Sequence, residues 1–405
     1  MTTKAPSVTP ADVLGLGRLV MDGAGGLTGL VEDMHRSILD TPGLAPLAQA
    51  ATGGVTGLVY RGVRGAFRLT GAGLSGLASL LEAERDDEPV PRNRAVALAA
   101  LNGVVGDHLA ETGNPLALTM QLRRGGQALK LERRALVEAL PDATGKLAVL
   151  VHGFCMSDLQ WTRQNQDHGA ALEHDLGYTS VYLSYNSGLH ISTNGRGLAL
   201  ALEALVAEWP DEIEDLTVIG HSMGGLVARS ACRIGEEAGH GWRKKLRRLV
   251  FLGTPHHGAP LERIGNWLDA MLSKTPYAAA FARLGQIRSV GVTDLRYGNL
   301  LDEDWQGRDR FARAPDTRQS IPLPEDVACY AIAATTGRSP GALKNHLVGD
   351  GLVPVMSALG HHKTASRILD FPADRQWIAC ETGHFDLLAR RHVYERIAGW
   401  LSSEA

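Results

Sequence analysis

Leu216-Thr217-Val218-Ile219-Gly220-His221-Ser222-Met223-Gly224-Gly225-Leu226-Val227-Ala228-Arg229-Ser230 is the stretch whose reading decides the fold. Its first four residues form a short apolar run suited to a buried strand. Its last six read as a helix. Between them lies a G-x-S-x-G pentapeptide, which gives a strand, a tight turn with serine at its apex, and a helix. Such a turn holds the serine backbone under strain, so only small residues fit around it. Gly220, Gly224 and Gly225 let strand and helix approach closely. The Ser222 hydroxyl then stands clear of the backbone, within reach of a histidine. The plainer reading is a glycine-rich turn with a passive serine, and the strand-turn-helix context argues against it.

A serine hydroxyl is a weak nucleophile until a base takes its proton, and that base is usually a histidine held by a carboxylate. Downstream of Ser222 the sequence offers Val348-Gly349-Asp350-Gly351-Leu352-Val353-Pro354. An aspartate between glycines can be an ordinary turn residue, but Asp350 also lies between the serine and the last candidate histidine. That histidine is His384, in Thr382-Gly383-His384-Phe385-Asp386, just after the final strand expected over 376–380. Asp386 competes as the orienting acid, although support of the loop or a helix cap suits it better. An oxyanion hole needs two backbone N–H groups. Met223, next to the serine, supplies one. The turn His152-Gly153-Phe154-Cys155 supplies the other, with Phe154 preferred and Cys155 the neighbouring alternative. Together these parts describe acyl transfer through an acyl-serine, with water as the usual second acceptor.

The stretch Gly253-Thr254-Pro255-His256-His257-Gly258 has paired histidines but no i, i+4 pair and no carboxylate at ligand spacing. We expect no metal there, and read it as a shaped loop beside the acyl pocket. His361-His362 reads as a solvated pair. Cys155, Cys232, Cys329 and Cys380 show no C-x-x-C spacing, so a zinc site is not expected. Nothing implies a cofactor.

The chain has 405 residues and a net charge of −3, which gives no electrostatic argument for nucleic acid. No uncharged apolar run reaches membrane-spanning length. The N-terminus lacks a charged region followed by an apolar block, so no secretory signal is expected. A cytoplasmic protein, peripheral at a membrane in one variant of this reading, follows. Residues 1–95 form a Gly/Ala-rich helical region with a short internal similarity, Gly25–Val31 against Gly53–Val59. The segment 55–81 reads as an amphipathic helix with Arg61, Arg64 and Arg68 at helical spacing. It suits close packing within the protein, or contact with lipid. Acidic residues 82–89 read as a linker. From 96 onward strands alternate with helices, as in a mostly parallel sheet covered on both faces. Expected strands cover 147–151, 180–185, 216–219, 249–252, 327–334 and 376–380. A hairpin is expected around Gly125-Gly126, and helices over 197–209, 225–237 and 391–402. Residues 259–325 break this rhythm and read either as a lid over the site or as helical decoration.

The motifs Val151-His152-Gly153-Phe154, Gly220-His221-Ser222-Met223-Gly224-Gly225, Gly253-Thr254-Pro255, Gly349-Asp350-Gly351 and Gly383-His384 together resemble the α/β-hydrolase superfamily in its lipase and esterase branch. The resemblance spans about 96–402. The Tyr185-Asn186-Ser187-Gly188 stretch and the elbow make it similar to bacterial lipases and to relatives of the GPI inositol-deacylases. It implies an α/β-hydrolase fold with the acid and then the base following the serine in the chain. It further implies hydrolysis of a carboxylic ester, with a small-molecule or lipid ester as substrate. An acyltransferase on the same triad stays open. So does a silent hydrolase fold serving as a binding module at a membrane, against which the intact Ser222, Asp350 and His384 argue.

Overall fold

A computed structural model describes residues 92–259, 289–308, 318–338 and 349–403, together with Ser7, Val8, Gly15, Glu82 and Ala83. The chain divides into two compact units. One comprises residues 1–88, 109–117 and 269–284, and the other 89–108, 118–268 and 285–405. The readings made for 55–81 and the internal similarity lie outside the described residues. So does most of the lid reading, apart from 289–308 and 318–325.

In the first unit, β1 (Ser7–Val8) pairs antiparallel with β2 (Glu82–Ala83). Asn114 closes a turn there. Its Nδ2 donates to Gly15 O at 2.9 Å, and its Oδ1 accepts from Leu116 N–H at 3.0 Å.

The second unit is built on an eight-stranded sheet. Its strands are β3 (Gln121–Arg124), β4 (Gln127–Ala128), β5 (Lys146–Val151), β6 (Thr179–Ser184), β7 (Asp215–His221), β8 (Leu246–Leu252), β9 (Ala328–Ala334) and β10 (Gln376–Ala379). They lie in the order β10-β9-β8-β7-β5-β6-β3-β4. From β6 to β10 all pairs are parallel, and only the β3–β4 hairpin runs against its neighbours. The central strands carry continuous apolar runs because helices cover both faces. Leu147 to Val151 are each fully buried, as are Leu216, Ile219, Val250 and Leu252. The parallel strands fall where the sequence places them, within a few residues at each end, whereas the hairpin expected over 115–123 and 127–132 is shorter, its paired arms covering only Gln121–Arg124 and Gln127–Ala128.

Helices run over Arg92–Glu111, Arg133–Ala139, His168–Leu176, Ile191–Glu208, Met223–Glu237, Val290–Tyr297 and Arg391–Ser402. The expected helix over 197–209 begins six residues earlier. Ser192, Asn194 and Gly195 are poor helix formers, but tertiary packing buries all three and overrides propensity. Asn194 Nδ2 donates to Asn186 O at 3.0 Å, which fixes that first turn. The helix Arg92–Glu111 was not separately anticipated. Up to His108 it belongs to the sheet unit, and Asn186 Nδ2 reaches its Gly106 O at 2.8 Å. No described helix is long and apolar enough to cross a membrane.

Candidate active site

Parallel strands aim their C-terminal ends at one edge of the sheet, and the chemically equipped side chains gather there. Ser222 follows the last residue of β7 and precedes the helix Met223–Glu237. Its backbone has φ of 53° and ψ of −122°, a left-handed conformation that side chains rarely adopt. Strain of this kind, at a sparsely populated φ/ψ, is found where the surrounding structure holds it for function. Here Ser222 N–H donates to Leu252 O at 2.8 Å and Ser222 O accepts from Gly225 N–H at 3.1 Å. The glycines are required by contact. A Cβ on Gly224 would stand 2.2 Å from Val151 O, inside any permitted approach.

Asp350 and His384 come together. His384 Nδ1–H donates to Asp350 Oδ2 at 2.7 Å, and both side chains are almost fully buried. The other carboxylate oxygen of Asp350 accepts from Leu352 and Val353 N–H at 2.9 and 2.8 Å. The aspartate is therefore locked in one rotamer, and it holds the Nδ1 edge of the His384 ring. Gly349 and Gly351 both have positive φ and fold the chain tightly around Asp350. Asp386 does not compete for this ring. Its Oδ2 accepts from Gly383 N–H at 3.1 Å and pairs with Arg390, so it caps its own turn.

The turn after β5 closes on the serine. A Cβ on Gly153 would come to 3.0 Å from Ser222 Cβ, a tighter contact than side chains ordinarily make, so the backbone here runs close to the serine. Cys155, with φ of 56°, donates its N–H to Ser187 Oγ at 2.9 Å. The N–H of Cys155, the alternative oxyanion donor of the sequence reading, is thus engaged within the turn. Met223 opens the helix, so its N–H has no acceptor within the helix.

Three residues near this turn have roles that sequence reasoning did not assign. His152 Nδ1–H donates to Gly153 O at 2.8 Å, and its Nε2 accepts from Tyr185 N–H at 3.4 Å. Its ring stacks on Tyr185 with centroids 4.3 Å apart, and Tyr185 OH donates to His152 O at 2.8 Å. Burial depresses the His152 pKa to about 4, more than its Gly153 bond raises it, so the ring is neutral. Ser187 holds Cys155, as described. His221 is fully buried, and burial together with the neighbouring His384 pushes its pKa well down. His152, Ser187 and His221 all stood within quoted motifs, and that position was the only signal available in the sequence.

The paired histidines after β8 are packed and bonded. His256 lies between Phe251 and Phe371, with Arg229 Nη1 3.4 Å from its Nδ1. His257 Nε2 donates to Gly360 O at 2.9 Å. Its ring also sits 4.9 Å from that of His362.

Residues 142–321 match the family described as "PGAP1-like alpha/beta domain". None of the curated proteins matches the chain. Among solved structures, the mature form of a Bacillus licheniformis lipase is 17% identical, covering 64% of this chain and 92% of its own, with a TM-score of 0.40. Aspergillus fumigatus lipase B is 14% identical over 70% of this chain and 60% of its own, with a TM-score of 0.41. A Pyrococcus furiosus esterase is 14% identical over 64% of this chain and 81% of its own, with a TM-score of 0.38. With its parallel strands, crossover helices and serine at a strand-to-helix elbow, the chain has an α/β-hydrolase fold.

Proposed function

We propose that the protein is a serine hydrolase that cleaves carboxylic esters, lipid esters among them, through an acyl-serine intermediate. The observation that carries this reading is the buried His384–Asp350 hydrogen bond of 2.7 Å, together with a serine held at positive φ whose chain neighbour His221 bonds the His384 carbonyl at 3.1 Å. In this reading Ser222 Oγ attacks the ester carbonyl while His384 Nε2 takes its proton. Asp350 holds the neutral ring in the required tautomer and stabilises the imidazolium that forms. The N–H groups of Met223 and Phe154 receive the developing oxyanion. The proton on His384 then passes to the leaving alcohol. A water molecule, activated by the same ring, releases the acid. The fold and the match to a PGAP1-like domain support ester hydrolysis as the class of reaction.

The test is turnover of p-nitrophenyl esters of increasing acyl length by wild type and Ser222→Ala. The expected result is activity that vanishes in the variant while its circular dichroism spectrum is unchanged. Unchanged turnover by Ser222→Ala would remove the serine from the mechanism. Cleavage of short soluble esters with none of emulsified long-chain esters would remove lipid from the substrate class.

A further inference from the structure

We propose that His221 is a positioning residue: its imidazole ties the nucleophile elbow to the loop that carries the base, and so sets His384 against Ser222. This deepens the triad reading above and rests on it. His384 makes three hydrogen bonds among the described residues. Its N–H donates to Asp350 O at 3.2 Å and its Nδ1–H to Asp350 Oδ2 at 2.7 Å. Both register the base against the acid, and neither registers it against the serine. The third does. His221 Nε2–H donates to the carbonyl oxygen of His384 itself at 3.1 Å. His221 is covalently next to Ser222, so one hydrogen bond links the residue beside the nucleophile to the residue that is the base.

The geometry also fixes the tautomer of His221. A ring nitrogen facing a carbonyl oxygen must carry the proton, so Nδ1 is the bare nitrogen. Nδ1 is buried and has no hydrogen-bond partner among the described residues. It faces the oxyanion turn, since a Cβ on Gly153 would lie 3.1 Å from it. The ring is clamped by its neighbours. Its centroid lies 4.7 Å from that of His384, 6.3 Å from Phe385 and 6.4 Å from Trp161. Elbow, base loop and oxyanion turn thus meet on one side chain. A packing role alone would need the bulk of this ring but not its donor.

The experiment separates donor from bulk. Gln places an amide N–H near the position of Nε2, whereas Asn reaches only the position of Nδ1. His221→Asn and His221→Gln are compared with wild type in p-nitrophenyl ester turnover and in the rate of Ser222 labelling by a fluorophosphonate. Both are read below the melting temperature of each variant. The expected result is a fall of roughly tenfold to hundredfold in kcat and in labelling rate for Asn, with KM unchanged and most of the rate restored by Gln. Equal rates for Asn and wild type overturn the proposal. An equal loss in Asn and Gln overturns it too, because the ring's bulk is then the requirement. Ser222→Ala, measured alongside, must neither turn over nor label. If it does either, the triad reading fails, whatever the His221 variants show.

Discussion

Asp350 shows how much one side chain can organise. Its Oδ1 holds the N–H groups of Leu352 and Val353, and its Oδ2 holds His384. Asp350→Asn can keep the first two bonds with its amide oxygen, so the loop stays folded. The amide nitrogen then faces His384 Nδ1 and forces the ring into the other tautomer, which cannot accept the serine proton. We expect kcat to fall by about 10⁴-fold with little change in melting temperature, read by ester turnover and thermal denaturation. Ser222, Asp350 and His384, the proposed triad, each carry a local signature in the sequence: a glycine-lined elbow, a glycine-flanked acid, and a histidine just past the last strand. His221 carries none for its role, which depends on a contact with a residue 163 positions away. Ser187 is similar at shorter range, since its hydroxyl serves a backbone group 32 residues earlier. No spacing rule encodes either contact.

Among the elements, the elbow is the least tolerant. The helix Met223–Glu237 lies close against β5, and Gly224 is where their backbones meet. β5 cannot retreat, since β6 and β7 pair with it on both sides. Gly224→Ala therefore forces the helix outward and takes Met223 N–H with it. We expect a loss of stability of about 1–3 kcal/mol in urea denaturation, with turnover reduced by more than the folded fraction explains. Strands were the most legible elements, because burial on both faces writes continuous apolar runs such as Leu147–Val151. Helices with mixed faces were less so. The N-terminal turn of Ile191–Glu208 carries polar and small residues that read as a loop until Asn186 and Ser230 are seen beside them. At the far edge of the sheet, Arg396 lies over the rings of both Trp377 and Trp400 and joins the C-terminal helix to β10.

For the whole molecule, the buried histidines set the response to acid. Burial lowers His152 to about 4 from an ordinary 6.5, and His168, His221 and His256 are lowered with it. Between these values the unfolded chain binds protons that the folded protein does not, so stability is complete above 6.5 and falls as pH drops toward 4. His152 alone contributes on the order of 3 kcal/mol across that window. Asp158, whose carboxyl is raised by burial, works in the opposite direction, but one carboxyl stands against several imidazoles. Urea denaturation at about pH 7.5 and about pH 5 should show a lower unfolding free energy at the acid value, with a slope steeper than one proton gives. The sheet order has a further consequence, in time. Ser222 leaves β7, whereas its proposed partners hang from the loops after β9 and β10, strands that join the sheet in sequence. During synthesis the serine emerges first and waits, chemically inert, while the rest of the chain is made. In the proposed mechanism its reactivity depends on the docking of the last strand, so a nascent chain without β10 does not act on nearby esters.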